Sequence, residues 1–238
     1  MKQENDITVL STFALDTLID ETGRVLGTQE GGPAYYLKRV FEDEEISYLF
    51  VPSPKMGVEI LLTDKGEFGR VPNVTPAMRV GFSEFKTPYI VISTILDEFN
   101  LSNISDFKGK AFLDIQGYIR DGKNFGKKKE LKDIEILDSA FCLKGTQEEL
   151  RYIPAHFLED KKIPLVLITR GERGCEVFYQ SVRYEVRPED ILKPEHTIGA
   201  GDTFFGYFIS QFIKREDPLA SAQYATKKTS LFLSSQFK

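Results

Sequence analysis

The sequence has no tryptophan, only two cysteines and two histidines among 238 residues, and no apolar run that approaches the length of a membrane span. A membrane span needs about 20 consecutive apolar residues. Cys142 and Cys175 lie in apolar surroundings and are too few for a disulfide framework, so we expect buried, reduced thiols. The scattered His and Cys side chains also argue against a structural zinc site.

An excess of basic charge is lacking too. The chain carries 31 basic and 36 acidic side chains, a formal charge of −5, and its calculated pI is about 5.3. A dedicated nucleic-acid binder needs a basic face that displaces phosphate counterions, so we expect no nucleic-acid partner. The N-terminal residues lack the apolar core of a signal peptide. We therefore expect a cytoplasmic protein without a membrane partner.

Aromatic residues are abundant, with 19 Phe and 10 Tyr, and hydrophobic residues make up 41% of the chain. This composition is typical of an ordinary globular protein rather than a disordered one. A chain of this length buries roughly 70–75% of its unfolded surface, which is enough for one large core. We therefore expect a single domain that spans residues 1–238.

Apolar runs bounded by turn signals predict strands, and apolar residues at helical spacing predict helices. The strand candidates are residues 7–13, 24–27, 46–51, 58–63, 67–71, 89–94, 111–115, 140–143, 165–169, 175–179 and 183–186, and the helix candidates are residues 34–41, 131–136, 147–153, 203–214 and 218–233. The later alternation predicts an α/β fold, a three-layer α/β/α sandwich with a mostly parallel central sheet. The early strands cannot all join that sheet. We expect them to form a small β lid drawn from about residues 22–28 and 57–72.

The segment most informative about chemistry is residues 196–202, HTIGAGD, immediately before an amphipathic helix. The amides of Gly199, Ala200 and Gly201 at a helix N-terminus would form an anion-binding site. Asp202 lies beside it and could accept a proton from an alcohol while the amides hold a phosphoryl group. The alternative is a simple turn in which Asp202 caps the helix.

Several motifs in order make the sequence similar to the ribokinase-like (PfkB) family of carbohydrate kinases. The family's terminal motif, Asp-Thr-x-Gly-Ala-Gly-Asp, resembles residues 196–202. Its Asp-x-Gln-Gly-x-x-Arg, Lys-x-Asn-x-x-Glu and Val-Thr-x-Gly-x-x-Gly motifs resemble residues 113–120, 143–149 and 168–175, and its N-terminal Gly-Gly resembles residues 31–32. The resemblance covers nearly the whole chain.

This resemblance implies a phosphotransferase that uses ATP and Mg²⁺ to phosphorylate a hydroxyl of a small sugar, cyclitol or nucleoside. It implies Asp202 as the catalytic base and Glu149 as a residue that holds magnesium through water. The implied nucleotide contacts are Lys144, Thr169, Gly171, Gly174, Ser221 and Ala225. The implied acceptor contacts are Asp16, Gly31, Gly32 and Arg120, with Asp16 at the end of the first strand. A homodimer that forms through the lid strands is also expected.

The sequence departs from the family pattern at a few positions. His196 replaces the first Asp of the terminal motif, Thr146 replaces the Asn of the middle motif, and the aromatic pair Tyr35 and Tyr36 replaces a polar residue after Gly-Gly. His196 is either a structural replacement or a ligand contact. These departures keep one alternative open, a catalytically weak ligand-binding relative. A second alternative within the same superfamily is a vitamin kinase that acts on a hydroxymethyl group. ADP or pyrophosphate as phosphoryl donor also stays open.

Overall fold

The computed structural model describes residues 5–64, 66–131, 135–159, 162–189 and 196–235. The strands are β1 Ile7–Ser11, β2 Ala14–Ile19, β3 Val25–Gly31, β4 Tyr48–Phe50, β5 Met56–Thr63, β6 Gly66–Arg70, β7 Met78–Arg79, β8 Tyr89–Ser93, β9 Phe99–Asn100, β10 Lys110–Asp114, β11 Arg120–Asp121, β12 Asn124–Lys128, β13 Ala140–Thr146, β14 Leu165–Thr169, β15 Cys175–Tyr179 and β16 Val182–Val186. The α-helices are α1 Pro33–Asp43, α2 Gln116–Ile119, α3 Glu135–Asp138, α4 Ala155–Glu159, α5 Ala200–Arg215 and α6 Pro218–Ser234, and four 3-10 turns lie at Phe82–Glu84, Ile104–Asp106, Glu149–Tyr152 and Gly171–Arg173.

Eight strands form the central sheet in the order β16-β15-β14-β13-β10-β8-β1-β4. The pairs from β14 to β4 are parallel, and only β15 and β16 run antiparallel to their neighbours. The α/β fold with a mostly parallel sheet is therefore confirmed. The carboxyl ends of the parallel strands meet at one edge of the sheet, where open α/β sheets bind ligands.

The helices α1, α5 and α6 cover one face of this sheet. Helix α5 buries Phe204, Phe208 and Phe212, which recur every four residues on one side of the helix. The Phe212 ring meets Phe112 of β10 with the ring centroids 5.5 Å apart, which packs the helix onto the sheet. The opposite face carries a second apolar cluster under short helices and 3-10 turns.

Local sequence signals explain where the two C-terminal helices begin. The Asp217 carboxylate accepts a hydrogen bond from the Ala220 amide at 3.0 Å, and Pro218 follows in the first turn of α6. Proline suits that position because its missing N–H has no intrahelical partner there. Gly199 precedes α5 with a φ of 78°, a left-handed conformation that glycine adopts without strain.

A second sheet, which we call the lid sheet, has the strand order β3-β2-β5-β6. The expected small β layer is thus present, and its hairpin around Gly66 joins β5 to β6 as antiparallel strands. The sequence analysis missed β2, which follows β1 after only two residues and pairs parallel with β5. Asp16 therefore lies within β2 of the lid sheet, and the expectation that it ends the first strand is wrong.

Smaller differences concern the predicted helices and the cysteines. The helix predicted at 147–153 is a 3-10 turn at Glu149–Tyr152, and α3 overlaps only the end of the helix predicted at 131–136, of which residues 132–134 lie outside the described part. Cys142 and Cys175 are buried free thiols, as expected. In the described part of the chain, no helix is long and apolar enough to cross a membrane.

Candidate active site

The start of α5 faces the ligand-binding edge of the central sheet. The Gly199 backbone needs a residue without a side chain, because a Cβ there would overlap the Tyr36 ring. The Gly201 and Asp202 amides lie in the first helical turn, whose N–H groups have no intrahelical partner. The Ala200 amide instead donates a hydrogen bond to the Thr197 carbonyl at 3.0 Å. Of the three amides that the sequence predicts for an anion site, the Ala200 N–H is therefore engaged within the protein.

The Asp202 carboxylate is fixed by two side chains from other elements. The Ser93 hydroxyl at the end of β8 and the Gln116 amide of α2 both donate to Oδ1 of Asp202, each at 3.2 Å. Neither bond uses Oδ2. Burial raises the pKa of Asp202, and the charges of Lys144 and Arg120 together with these two hydrogen bonds oppose that rise. A carboxylate held in this way can accept a proton through its second oxygen.

A buried ion pair lies beside the anion site. Lys144 Nζ is 2.5 Å from Oδ2 of Asp114, and both side chains are almost fully buried. Burial raises the pKa of Asp114 to about 6, although the Lys144 charge opposes it. Burial alone would lower the pKa of Lys144, but the carboxylates of Asp114, Asp202 and Glu149 raise it, so the ammonium stays charged. A Cβ added to Gly201 would lie 3.2 Å from Nζ of Lys144, which places this cation next to the anion site.

Glu149 lies in the same group of charges. Its Oε2 accepts the Thr146 amide at 2.8 Å, its own amide donates to the Thr146 hydroxyl at 3.1 Å, and Lys128 Nζ is 3.9 Å from Oε1. Burial opposes ionisation, but Lys144, the Thr146 amide, Arg120 and Lys128 together lower the pKa of Glu149. The carboxylate is therefore ionised at neutral pH. The Thr146 amide orients this carboxylate, and the Thr146 hydroxyl holds the Glu149 backbone.

The donor set fits magnesium only as a hydrated ion. Among the described residues, no three His, Cys, Asp or Glu side chains are arranged to hold a metal ion. Mg²⁺ usually keeps several waters and binds through one or two carboxylates and the substrate phosphates. The ionised, buried Glu149 meets that requirement, whereas a site built entirely from protein ligands is not present in the described part of the chain.

A pocket of about 510 Å³ opens beside the start of α5. Its lining comes from β13, β14, the turn after β14, and helices α5 and α6; the lining residues are Thr146, Thr169, Gly171, Glu172, Gly174, Pro188, Thr197, Ala200, Gly201, Phe204, Thr226, Thr229, Ser230 and Leu233. Three predicted nucleotide contacts, Thr169, Gly171 and Gly174, are thus brought together around one cavity. Their chain positions follow the carboxyl end of β14, as expected for a parallel sheet.

The three other predicted nucleotide contacts, Lys144, Ser221 and Ala225, do not line this pocket. Ser221 and Ala225 are fully buried, and the Ser221 hydroxyl donates to the Asp217 carbonyl at 2.6 Å. These two residues pack α6 against the core, and the expectation that they contact a nucleotide does not match their placement. Thr226 and Ser230 of the same helix line the pocket instead. The predicted helix does line the pocket, but through residues other than the expected ones.

Three of the four predicted acceptor residues, Asp16, Gly31 and Gly32, meet where the lid sheet joins α1. Gly31 allows the Asp16 carboxylate to approach its backbone, because a Cβ at Gly31 would overlap that carboxylate. Gly32 precedes α1 with a φ of 77°, and a Cβ there would lie 2.5 Å from the Thr12 carbonyl oxygen. Burial raises the pKa of Asp16 to about 6; a hydrogen bond with Gln29 opposes this, and the Asp202 charge adds to it. The Asp202 carboxylate is thus near enough for its charge to act on Asp16.

Arg120 makes contacts within the protein. Its Nη2 donates to Oε1 of Gln116 at 2.9 Å, its Nη1 lies 3.5 Å from the Ile95 carbonyl oxygen, and its guanidinium lies 4.8 Å from the centre of the Phe125 ring. Because Gln116 in turn donates to Asp202, Arg120 supports the Asp202 carboxylate through Gln116. Its Nε is buried and has no hydrogen-bond partner among the described residues.

Comparisons with known proteins agree with this geometry. The model of the pfkB family carbohydrate kinases matches residues 134–236. A pyrophosphate-dependent kinase in the ribokinase family, solved with sulfate, is 16% identical, covers 96% of this chain and 95% of its own, and has a TM-score of 0.72. The resemblance to the ribokinase-like (PfkB) family is confirmed.

Two further structures share the ribokinase-like fold. The Arabidopsis thaliana ribokinase complexed with ribose and ATP is 14% identical, covers 98% of this chain and 93% of its own, and has a TM-score of 0.74. The Methanocaldococcus jannaschii nucleoside kinase is 12% identical, covers 97% of this chain and 92% of its own, and has a TM-score of 0.64. No curated protein matched the sequence.

Within this ribokinase-like site, the sequence analysis missed Ser93 and gave no role to Gln116 or Tyr36. Ser93 ends the buried strand β8, and the rule that ligands lie at the carboxyl ends of parallel strands would have pointed to it. Gln116 lies inside a recognised motif. Nothing in the local sequence shows that Tyr36 lies against Gly199, because that contact joins α1 to α5 across 163 positions of the chain.

Proposed function

We propose that this protein is an ATP-dependent kinase that phosphorylates a hydroxyl of a small, uncharged polyol such as a sugar or cyclitol. The observation that carries the proposal is the position of Asp202. Ser93 and Gln116 hold its carboxylate, and the amides of the first turn of α5 lie at the same helix start. Its charge also raises the pKa of Asp16 on the lid side. A base between an anion site and a hydroxyl-binding carboxylate is the arrangement that phosphoryl transfer to an alcohol requires.

The pocket beside α5 supports a nucleoside triphosphate as donor. Its volume of about 510 Å³ and the side chains of Pro188, Phe204 and Leu233 suit a base and ribose. The described residues that line this pocket include neither Lys nor Arg. Pyrophosphate would therefore find no basic side chain there and would leave most of the pocket surface without a contact. One of the similar structures is a pyrophosphate-dependent kinase, which makes the donor a point to test directly.

In the proposed reaction, the acceptor hydroxyl attacks the γ-phosphorus of ATP. Oδ2 of Asp202 takes the hydroxyl proton, the new O–P bond forms, the bond to the bridging oxygen breaks, and ADP leaves. The amides of Gly201 and Asp202 and the ammonium of Lys144 would stabilise the negative charge on the transferring phosphoryl group. Glu149 would hold a hydrated Mg²⁺, whose charge neutralises the nucleotide phosphates.

Electrostatics on the lid side support an uncharged acceptor. Asp16 and Asp202 contribute negative charge, and Glu30 adds to the field at Asp16. Arg120, the candidate for binding an acidic group, donates to Gln116 and stacks on Phe125. An acidic or phosphorylated acceptor would face two carboxylates, whereas hydroxyl groups would donate hydrogen bonds to them.

The lid sheet would close over the acceptor and exclude water, which otherwise competes as an acceptor. Its outer face supports the expected homodimer, because Leu15, Val25 and Phe68 are 43%, 56% and 42% exposed. Strand register places Leu15 and Ile19 on one side of β2, opposite Asp16, and pairs Ile19 with Val25 and Leu61 with Phe68. An apolar sheet face of this kind favours association with a second copy, which size-exclusion chromatography with light scattering would measure.

The experiment that tests the function is a product-release screen with ATP or pyrophosphate as donor and D-ribose, myo-inositol, adenosine or pyridoxal as acceptor. We expect acceptor-dependent ADP release with ribose or myo-inositol and a much lower rate with pyrophosphate. Faster transfer from pyrophosphate would overturn the donor assignment. Transfer to pyridoxal alone would favour a hydroxymethyl kinase, and absence of transfer to any alcohol would contradict a kinase function.

A further inference from the structure

The aromatic ring of Tyr36 lies at the centre of the candidate active site. Tyr36 belongs to the first turn of α1 and is 6% exposed. Its ring lies against Gly199 at the start of α5, so closely that a side chain at Gly199 would overlap it. The rings of Tyr35 and Phe232 meet it edge-on, with centroid separations of 5.1 and 6.0 Å. The ring position is thus fixed from several sides.

The Tyr36 hydroxyl lies in the field of both carboxylates that define the proposed transfer. Burial raises the pKa of Tyr36 far above its usual value, and the charges of Asp16 and Asp202 raise it further. The hydroxyl therefore stays protonated at neutral pH and can donate a hydrogen bond. It makes no hydrogen bond to a residue in the described part of the chain. A protonated hydroxyl in the field of these two carboxylates, without a partner in the described part of the chain, is available to a bound polyol.

We propose that Tyr36 is a specificity-determining residue of the acceptor site. Its hydroxyl binds an acceptor oxygen that neither Asp16 nor Asp202 binds, and its ring forms a wall that limits the acceptor to one small polyol ring. This inference rests on the proposed kinase function. The Tyr36 ring can occupy this position because Gly199 has no side chain, and the rings of Tyr35 and Phe232 hold it there. A nucleoside carries a base in addition to its sugar ring and would meet this wall.

The test compares three variants with the wild type, using D-ribose, myo-inositol and adenosine as probe acceptors and ATP as donor. Tyr36→Phe removes only the hydroxyl, and Tyr36→Asn opens space beside Gly199. Tyr35→Phe is the matched control, because it removes the neighbouring hydroxyl, which lies 3.4 Å from Nη1 of Arg39 at the surface. Thermal unfolding and ATP binding by calorimetry show that each variant is folded; if Tyr36→Asn is not, Tyr36→Leu takes its place.

We expect Tyr36→Phe to lower kcat/KM for the preferred polyol roughly tenfold, since a site built to bind a hydroxyl is left incomplete. The KM for ATP and the activity of Tyr35→Phe should stay within about twofold of the wild type. Tyr36→Asn should raise the ratio of adenosine to ribose kcat/KM by roughly tenfold or more.

An unchanged kcat/KM in Tyr36→Phe, or an unchanged ratio of adenosine to ribose in the space-opening variant, would overturn the inference. A wild-type enzyme that phosphorylates no alcohol would overturn the proposed function and, with it, this inference. Because that result is read from the wild type alone, the two failures are distinguishable.

Discussion

The side-chain amide of Gln116 donates a hydrogen bond to Oδ1 of Asp202 at 3.2 Å, although the two residues lie 86 positions apart in the chain. Arg120 donates to the other end of the same Gln116 side chain at 2.9 Å. Gln116 thereby links a guanidinium to the proposed base. Its bond to Asp202 opposes the rise of the pKa that burial causes, and so keeps the carboxylate available as a base.

Replacement of Gln116 tests this link. In Gln116→Ala, the pKa of Asp202 should rise further, so the acidic limb of the kcat profile should move to higher pH. At neutral pH we expect roughly a tenfold loss of kcat, in line with one lost hydrogen bond to a charged group. Gln223→Ala, which changes an exposed glutamine of α6, serves as the control. A loss of activity with an unshifted acidic limb would mean that Gln116 does not act through the base.

Asp202→Asn tests the base itself. We expect turnover to fall by about 10²–10⁴, the range typical of lost general-base catalysis, while ATP affinity is retained. The matched control is Asp217→Asn, which changes the aspartate at the start of α6, where the side chain only caps the helix. Steady-state kinetics and calorimetry measure the two effects separately. Turnover close to that of the wild type would exclude Asp202 as the base.

Added side-chain volume at Gly201 should damage the anion site. The first added carbon would lie 3.2 Å from Nζ of Lys144, which is fixed by its ion pair with Asp114. We expect Gly201→Ala to raise the KM for ATP and lower kcat/KM for ATP roughly tenfold, and Gly201→Val to do more. Gly27→Ala in β3, where a Cβ meets nothing within 4 Å, should leave both values unchanged. Normal ATP kinetics in folded Gly201→Val would contradict the anion site.

The raised pKa of Asp16 leads us to expect that acceptor binding depends on pH. Its pKa is about 6, so protonation as the pH falls through 6 should remove an acceptor of hydrogen bonds and raise the KM for the polyol. Asp16→Asn should show a high KM that no longer varies between pH 5 and 7.5, with little change in ATP binding. An equal loss of affinity for polyol and ATP would argue against Asp16 as an acceptor contact.

The same raised pKa has a consequence for stability with a definite sign. The folded-state pKa of Asp16 lies above the usual value of 3.8. As the pH rises between these two pKa values, the unfolded chain ionises first, so the free energy of unfolding falls. Asp16→Asn should therefore unfold at a higher temperature than the wild type at pH 7.5, and the difference should shrink towards pH 4. Thermal unfolding at several pH values measures this, and a lower melting temperature at pH 7.5 would contradict it.

His196→Asp restores the residue that the family motif carries. His196 Nδ1 is buried and has no hydrogen-bond partner among the described residues, so the replacement breaks no hydrogen bond of that nitrogen there. We expect activity to change by less than about tenfold, or roughly 1.4 kcal/mol. We also expect no stimulation by added K⁺. A loss beyond roughly 100-fold that grows as the pH falls would show that His196 contacts a phosphate.

Some of the site could be predicted from sequence because its signals are local. A Gly-Ala-Gly-Asp segment before an amphipathic helix predicts an anion site with a carboxylate beside it. A turn after a buried strand predicts ligand contacts at Thr169 and Gly171, and the pocket includes both. The α/β fold follows likewise from alternating strands and helices, since parallel strands require helical crossovers.

Other features were decided by contacts between distant segments. The rotation of α6 about its axis buries Ser221 and Ala225 and turns Thr226 to the pocket, and the packing of α6 on the sheet sets that rotation. Strand β2 escaped prediction because it follows β1 after two residues and belongs to a different sheet.

The sequence by itself determined the layered α/β fold, the glycine turn before α5 and the place of Asp202 in the first turn of that helix, because backbone conformation and residue order fix them locally. Only the tertiary structure decided which side chains hold that carboxylate. Ser93 and Gln116 reach it from β8 and α2, and Tyr36 reaches Gly199 from α1. Which side chains become partners depends on how sheet edges and helix ends meet in space. The local sequence around each residue does not indicate which distant segment it will contact.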